Sequence, residues 1–132
     1  MSNFWEFKNE QSFEDRKAIS ERLRNKFPDR IPVIIQYAPN LSHLYSSNTE
    51  GNLENTNFYK KYLVPSNVSL LHLQCQIRKD LQINETQGLF MLINKSALPL
   101  MTNLIQHLYD RHKDDDDFLY ILCSGENTFG KK

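Results

Sequence analysis

Apolar residues recur along this chain with two different periods. Between residues 13 and 27, Ile19, Leu23 and Phe27 fall at i, i+4 and i+8. Glu14, Asp15, Arg16, Lys17, Glu21, Arg22 and Arg24 mostly take the other positions. That spacing predicts an amphipathic helix. Ser12 stands where an N-cap belongs, Asp15 follows three residues on, and Pro28 stops the helix. A short helix around Phe4 to Asn9 is compatible with the pattern. Ile31 to Tyr37 is β-branched and apolar and predicts a strand; Pro32 lies near its start, where a missing N–H is tolerated. Lys60 to Val64 predicts a second strand, ended by Pro65. Ser69 caps a predicted helix whose buried face is Leu70, Leu73, Ile77 and Leu81. Leu89 to Ile93 is a continuous apolar run, the mark of a strand covered on both faces. Met101, Leu104, Ile105 and Leu108 form another helical stripe, and Phe118 to Cys123 a last strand.

The order is helix, helix, then β-β-α-β-α-β. Four strands in a mixed sheet crossed by one principal helix make an α+β fold of the ubiquitin-like β-grasp type, here with two additional N-terminal helices. The predicted organisation is a helical extension over 1–28 packed on the core, a ubiquitin-like domain over 29–124, and a flexible tail over 125–132. A long loop runs from Ala38 to about Phe58. Residues 40–57 hold five Asn and three Ser in 18 positions, a composition with little to bury.

Composition narrows the function classes. The 132 residues suit one compact domain, and a hydrophobic content of 39% supports a core without disulfides or metal. Sixteen basic and sixteen acidic residues leave net charge at zero, so nothing favours nucleic acid. Locally, residues 1–30 carry seven Lys or Arg against six Asp or Glu, and residues 110–117 carry two against five. No apolar run approaches the roughly 18 residues of a membrane span, and the first residues lack a signal-peptide layout. The Asn-x-Ser/Thr sequons at Asn40, Asn67, Asn84 and Asn94 are then chance matches in an Asn-rich chain. Phe4, Trp5 and Phe7 either insert at a membrane interface or pack on the domain.

Catalytic chemistry has no obvious seat. Cys75 and Cys123 are far apart, form no CxxC, and lie in apolar stretches, which predicts inert core thiols. His43, His72, His107 and His112 form no motif with them. Asp114 to Asp117 lacks the alternating ligands, central glycine and terminal Glu of a calcium loop and is expected to be a solvated turn. No enzyme activity, cofactor or metal is expected.

Several segments together carry a resemblance. They are Phe13-Glu14-Asp15-Arg16, Lys26-Phe27-Pro28-Asp29-Arg30-Ile31-Pro32-Val33-Ile34, and Lys60-Lys61-Tyr62-Leu63-Val64-Pro65. Ile77-Arg78-Lys79, Leu108-Tyr109, Asp116-Asp117-Phe118-Leu119-Tyr120 and Phe129-Gly130 follow in order. With these the chain resembles the ubiquitin-like autophagy modifiers related to microtubule-associated protein light chain 3 and the GABA type A receptor-associated protein. The resemblance implies two activities. In the first, a processing cysteine protease removes Lys131 and Lys132. Activating and conjugating enzymes then carry the Gly130 carboxylate as a thioester and join it to phosphatidylethanolamine. Phe129 fixes the tail's register in the protease groove, and a glycine carbonyl enters a narrow slot because no Cβ blocks it. The protein would then be cytoplasmic and also anchored on autophagosomes or related vesicles.

The second implied activity is binding of cargo receptors through peptides with an aromatic residue and, three positions later, an aliphatic one. Such a ligand adds as a strand to the second strand, whose edge backbone is presented by Lys61, Tyr62 and Leu63. The aromatic pocket implied is Ile19, Leu23, Pro32, Lys61, Leu63 and Phe118. The aliphatic pocket implied is Tyr62, Val64, Pro65, Val68, Leu73 and Ile77. Ligand acids would meet Lys60, Lys61 and Arg30. The chain departs from the family at Leu73, where an aromatic is common, at Gln76, where an aliphatic is usual, at Asp80, where a base is usual, and in the longer 40–58 loop. The alternative is a cytosolic adaptor of the same fold that binds peptides and is never lipidated.

Overall fold

The computed structural model describes residues 4–41, 58–84, 86–94 and 99–125. Among them run α1 (Glu6–Glu10), α2 (Phe13–Lys26), β1 (Arg30–Tyr37), a 3-10 turn (Pro39–Leu41), β2 (Tyr59–Pro65), α3 (Leu70–Leu81), β3 (Phe90–Ile93), α4 (Ile105–His112) and β4 (Leu119–Ser124). The sheet order is β2-β1-β4-β3. β1 pairs antiparallel with β2 and parallel with β4, and β3 pairs antiparallel with β4. The interior of the long loop, residues 42–57, and the tail with Phe129 and Gly130 lie outside the described residues.

Alternation along the central strands divides the core between two faces. Ile31, Val33, Ile35 and Tyr37 of β1, with Leu119, Ile121 and Cys123 of β4, face Leu70, Leu73, Ile77 and Leu81 of α3 and Ile105, Leu108 and Tyr109 of α4. Ile34, Phe118 and Tyr120 face the other way, against Trp5, Phe7, Ile19 and Leu23. The N-terminal helices thus complete one of the two apolar layers. Trp5 is 7% and Phe7 1% exposed, so of the two readings of the N-terminal aromatics, packing holds for these two. Phe4 remains 43% exposed.

Helix ends follow their caps. The Ser12 hydroxyl accepts from the Asp15 N–H at 3.1 Å, and the Ser69 hydroxyl accepts from the His72 N–H at 3.3 Å. α4 starts later than the Met101 stripe suggests. Leu104 is extended (φ −74°, ψ 145°) and forms a bridge with Ser69, so the chain cannot turn helical before Ile105.

Candidate functional site

β2 lies at one edge of the sheet, and no described strand pairs with its outer side. The Tyr37 N–H donates to the Phe58 carbonyl at 2.8 Å, which sets the ladder's phase. In an antiparallel pair every second residue exchanges hydrogen bonds. Residues 58, 60, 62 and 64 therefore bond to β1, while Tyr59, Lys61 and Leu63 direct their N–H and C=O groups outward. The expectation that Tyr62 also presents edge backbone is corrected by this phase. Pro32, opposite Leu63, sits in a pair that exchanges no bonds, so its missing N–H costs β2 nothing.

The same alternation sorts the side chains. Lys61 stacks over the Phe7 ring at 5.6 Å, and Tyr59 packs with the α1/α2 layer, so odd residues of β2 point there. Tyr62 and Val64 belong to the α3/α4 layer. On the first face Ile19 and Leu23 pack against the cluster that holds Phe118, and strand parity turns Pro32, Lys61 and Leu63 to the same side. Ile19, Leu23 and Leu63 are half-buried and Lys61 is exposed, over a floor containing buried Pro32 and Phe118. On the second face Tyr62 and Val68 are half-buried, over buried Val64, Leu73 and Ile77, whereas Pro65, implied for this pocket, has the parity of Lys61 and Leu63 and turns to the first face. Leu73 and Ile77 are core members in this structure, at 2% and 0% exposure. The two apolar sites thus flank one strand on opposite faces.

Charge along the edge is uneven. Arg30 is exposed and donates to the outward Leu63 carbonyl at 3.4 Å. Among the described residues neither Arg30 nor Lys61 has a carboxylate in ion-pair range, whereas Lys60 meets Asp80 at 3.4 Å. Asp80 also accepts from the Tyr62 hydroxyl at 2.5 Å and from the Gln76 amide at 3.1 Å. Burial pushes the Asp80 carboxyl up, but the Tyr62 and Gln76 bonds and the Lys60 charge outweigh it and hold it below the usual carboxylate range. Burial, the Tyr37 hydroxyl and Asp80 raise Tyr62 far above an ordinary phenol.

A second cluster fixes where α2 sits. The expected solvated turn at Asp114–Asp117 is instead a clamp on the N-terminal helices. Lys8 pairs with Asp114 at 2.7 Å, Arg16 with Asp116 at 2.7 Å, and Lys17 with Asp117 at 2.8 Å. Asp116 is 0% exposed; it also accepts from the Tyr120 hydroxyl at 2.5 Å and the Phe118 N–H at 2.9 Å, and the Ser20 hydroxyl donates to its carbonyl at 2.6 Å. Arg16 and Ser20 consequently take the buried stripe of α2, and the apolar Ile19 and Leu23 are left half-exposed beside β2. No local pattern signals this contact, because the cations on α1 and α2 lie a hundred residues before the acidic run. The cysteines divide as well. Cys123 is buried, and burial pushes its thiol up to about 12, but Cys75 is exposed because it sits between the inward Leu73 and Ile77 on the outer face of α3. Among the described residues no group of His, Cys, Asp and Glu is arranged to hold a metal.

Comparison with known proteins agrees with this geometry. The family model described as autophagy protein Atg8, ubiquitin like, matches residues 15–130. An autophagy-related protein 8-like protein of Dictyostelium discoideum is 42% identical over 127 residues, spanning 94% of this chain and 92% of that one. The autophagy-related protein 8 of Mycosarcoma maydis is 42% identical over 125 residues, spanning 95% and 96%. The crystal structure of Trypanosoma brucei ATG8 superposes with a TM-score of 0.73 at 31% identity, covering 98% of this chain and 100% of that one. With a ubiquitin-like fold, an open β2 edge and relatives of this closeness over nearly its whole length, the chain belongs to the Atg8 family of ubiquitin-like autophagy proteins.

Proposed function

We propose that the protein is a modifier conjugated through Gly130 to phosphatidylethanolamine on autophagosomal membranes, where it recruits cargo receptors and autophagy factors carrying aromatic-x-x-aliphatic peptides. The observation that carries the recognition half is the parity of the edge. In an added strand, residues i and i+3 point to opposite faces. A ligand bonded to the outward groups of Lys61 and Leu63 directs its aromatic residue toward Ile19 and Leu23 and its aliphatic residue toward Tyr62 and Val68. Backbone bonds give affinity and the two apolar sites give selectivity.

The conjugation half is supported by the family match, which runs through residue 130 and so includes Phe129-Gly130. The processing protease and the activating and conjugating enzymes supply the nucleophilic cysteines. The protein supplies a carboxylate and a docking surface, and acts as no enzyme itself. In the last step the lipid amine attacks the Gly130 thioester, an amide bond forms and the enzyme's thiol leaves. No helix among the described residues is long and apolar enough to cross a membrane, so stable attachment in this scheme rests on the two acyl chains of the lipid.

A Gly130→Ala variant in cells tests the scheme. It should accumulate unprocessed and unlipidated while keeping its fold and its affinity for peptide. Lipid conjugation of that variant would refute Gly130 as the acceptor.

A further inference from the structure

The α3 side of β2 carries an anchored negative charge at the mouth of the aliphatic site. Asp80 lies in the last turn of α3, where it meets Lys60 and Tyr62, and Gln76 one turn before it donates to it. The two Asp80 oxygens are engaged by Tyr62 and Lys60 on one and Gln76 on the other. The Tyr62 hydroxyl donates to Asp80, which ties the far end of its ring to α3. The carboxylate is still a quarter exposed, and Lys60 is half exposed. Lys60 also lies over the Tyr62 ring at 5.3 Å, so its ammonium is spent on Asp80 and the ring together. Lys60 is thereby neutralised, whereas among the described residues Lys61 and Arg30 have no carboxylate in ion-pair range.

Strand parity says which ligand residues meet this group. With the aromatic toward α2 and the aliphatic toward α3, the residues immediately before and after the aromatic share the aliphatic's face. They pass along Lys60, Tyr62 and Asp80. The residue two before the aromatic returns to the α2 face, beside Lys61. An acid next to the aromatic therefore approaches a fixed carboxylate whose local cation is already paired, and like charges in that position repel. A lysine or arginine there finds an anion with a free lone pair.

We propose that Asp80 is a specificity-determining residue that turns this groove toward peptides with basic or neutral residues flanking the aromatic and away from peptides with acids there. The inference rests on the edge-strand function proposed above. Three synthetic peptides test it, identical except that both residues beside the aromatic are Lys, Ala or Glu. Fluorescence anisotropy measures each against the full chain and against Asp80→Asn and Asp80→Lys. For the unmodified chain the Lys peptide should bind about fivefold more tightly than the Glu peptide, the upper range for a partly exposed pair. Asp80→Asn should level the series and Asp80→Lys should invert it, both with unchanged thermal midpoints to within a few degrees. If the peptides bind but their ranking is the same in all three proteins, the role of Asp80 is overturned and the groove stands. If none binds the unmodified chain, the groove itself is overturned and the inference with it.

Discussion

Removing the Asp116 carboxylate should be among the most damaging single changes in the described residues. Asp116→Ala leaves the Arg16 guanidinium, 8% exposed, with the Gln11 carbonyl at 2.8 Å and the Phe13 ring at 5.7 Å but no carboxylate among the described residues, and deprives the Tyr120 hydroxyl and Phe118 N–H of their acceptor. Breaking a buried pair by deleting one partner costs about 3–5 kcal/mol, because a desolvated charge is stranded. Against a total stability of about 5–15 kcal/mol that is a large fraction. In urea, with an m-value of about 2 kcal/mol/M, the unfolding midpoint should fall by about 1.5–2.5 M. Removing both charges in Arg16→Met/Asp116→Leu should cost less than Asp116→Ala alone, since no ion is then left unpaired. Because α2 loses its anchor, Ile19 and Leu23 shift relative to β2 and peptide affinity should fall in Asp116→Ala more than in the double variant. A midpoint shift under about 0.5 M, or single costs that simply add in the double variant, would refute this account of the clamp.

Four further outcomes follow from the geometry. Lys61→Pro removes an outward N–H and no ladder bond, so peptide affinity should drop by about tenfold or more by titration while the thermal midpoint moves little. Phe7→Ala should destabilise by about 3–5 kcal/mol in chemical denaturation, and Phe4→Ala, at an exposed position, by less than about 0.5 kcal/mol. Alkylation followed by mass spectrometry should modify Cys75 in the native chain and reach Cys123 only after unfolding, because its thiolate is disfavoured by burial. Tyr37, Tyr62 and Tyr120 have phenol pKa values raised in the folded chain, chiefly by burial, so their contribution to stability is intact below about pH 10 and is lost as pH climbs above it. Absorbance titration should show these phenols ionising together with unfolding; a normal titration of all of them in a folded chain would count against their burial.

The strands and α3 were legible because their periodicity and caps all agree. Ser69, Leu70, Leu73, Ile77 and Leu81 behave as the pattern implies, and so do the apolar runs of β1, β3 and β4. Three features were not legible, each because a long-range contact overrides local pattern. The Asp114–Asp117 run reads locally as solvated, yet Arg16, a hundred residues earlier, pairs with its buried third carboxylate. α2 reads as an Ile19/Leu23 helix, but the same ion pair turns Arg16 and Ser20 inward. Cys75 stands in an apolar stretch and points out, since its neighbours two positions away hold the inward face. Of the site, the resemblance implied β2 as the edge and a set of residues on either side of it, but the ladder's phase takes Tyr62 off the edge backbone and turns Pro65 to the other face. The phase of the β2 ladder and the three-way engagement of Asp80 required coordinates, because they depend on which residues of β1 and α3 stand opposite.

Conjugation at Gly130 is tested most directly by intact and C-terminal-peptide mass spectrometry of the protein taken from a membrane fraction of starved cells. The expected result is a chain ending at Gly130 and carrying the added mass of phosphatidylethanolamine. A membrane-fraction chain that retains Lys131 and Lys132, or that ends at Gly130 without lipid, would contradict it and leave a soluble adaptor whose work is done by the β2 edge alone.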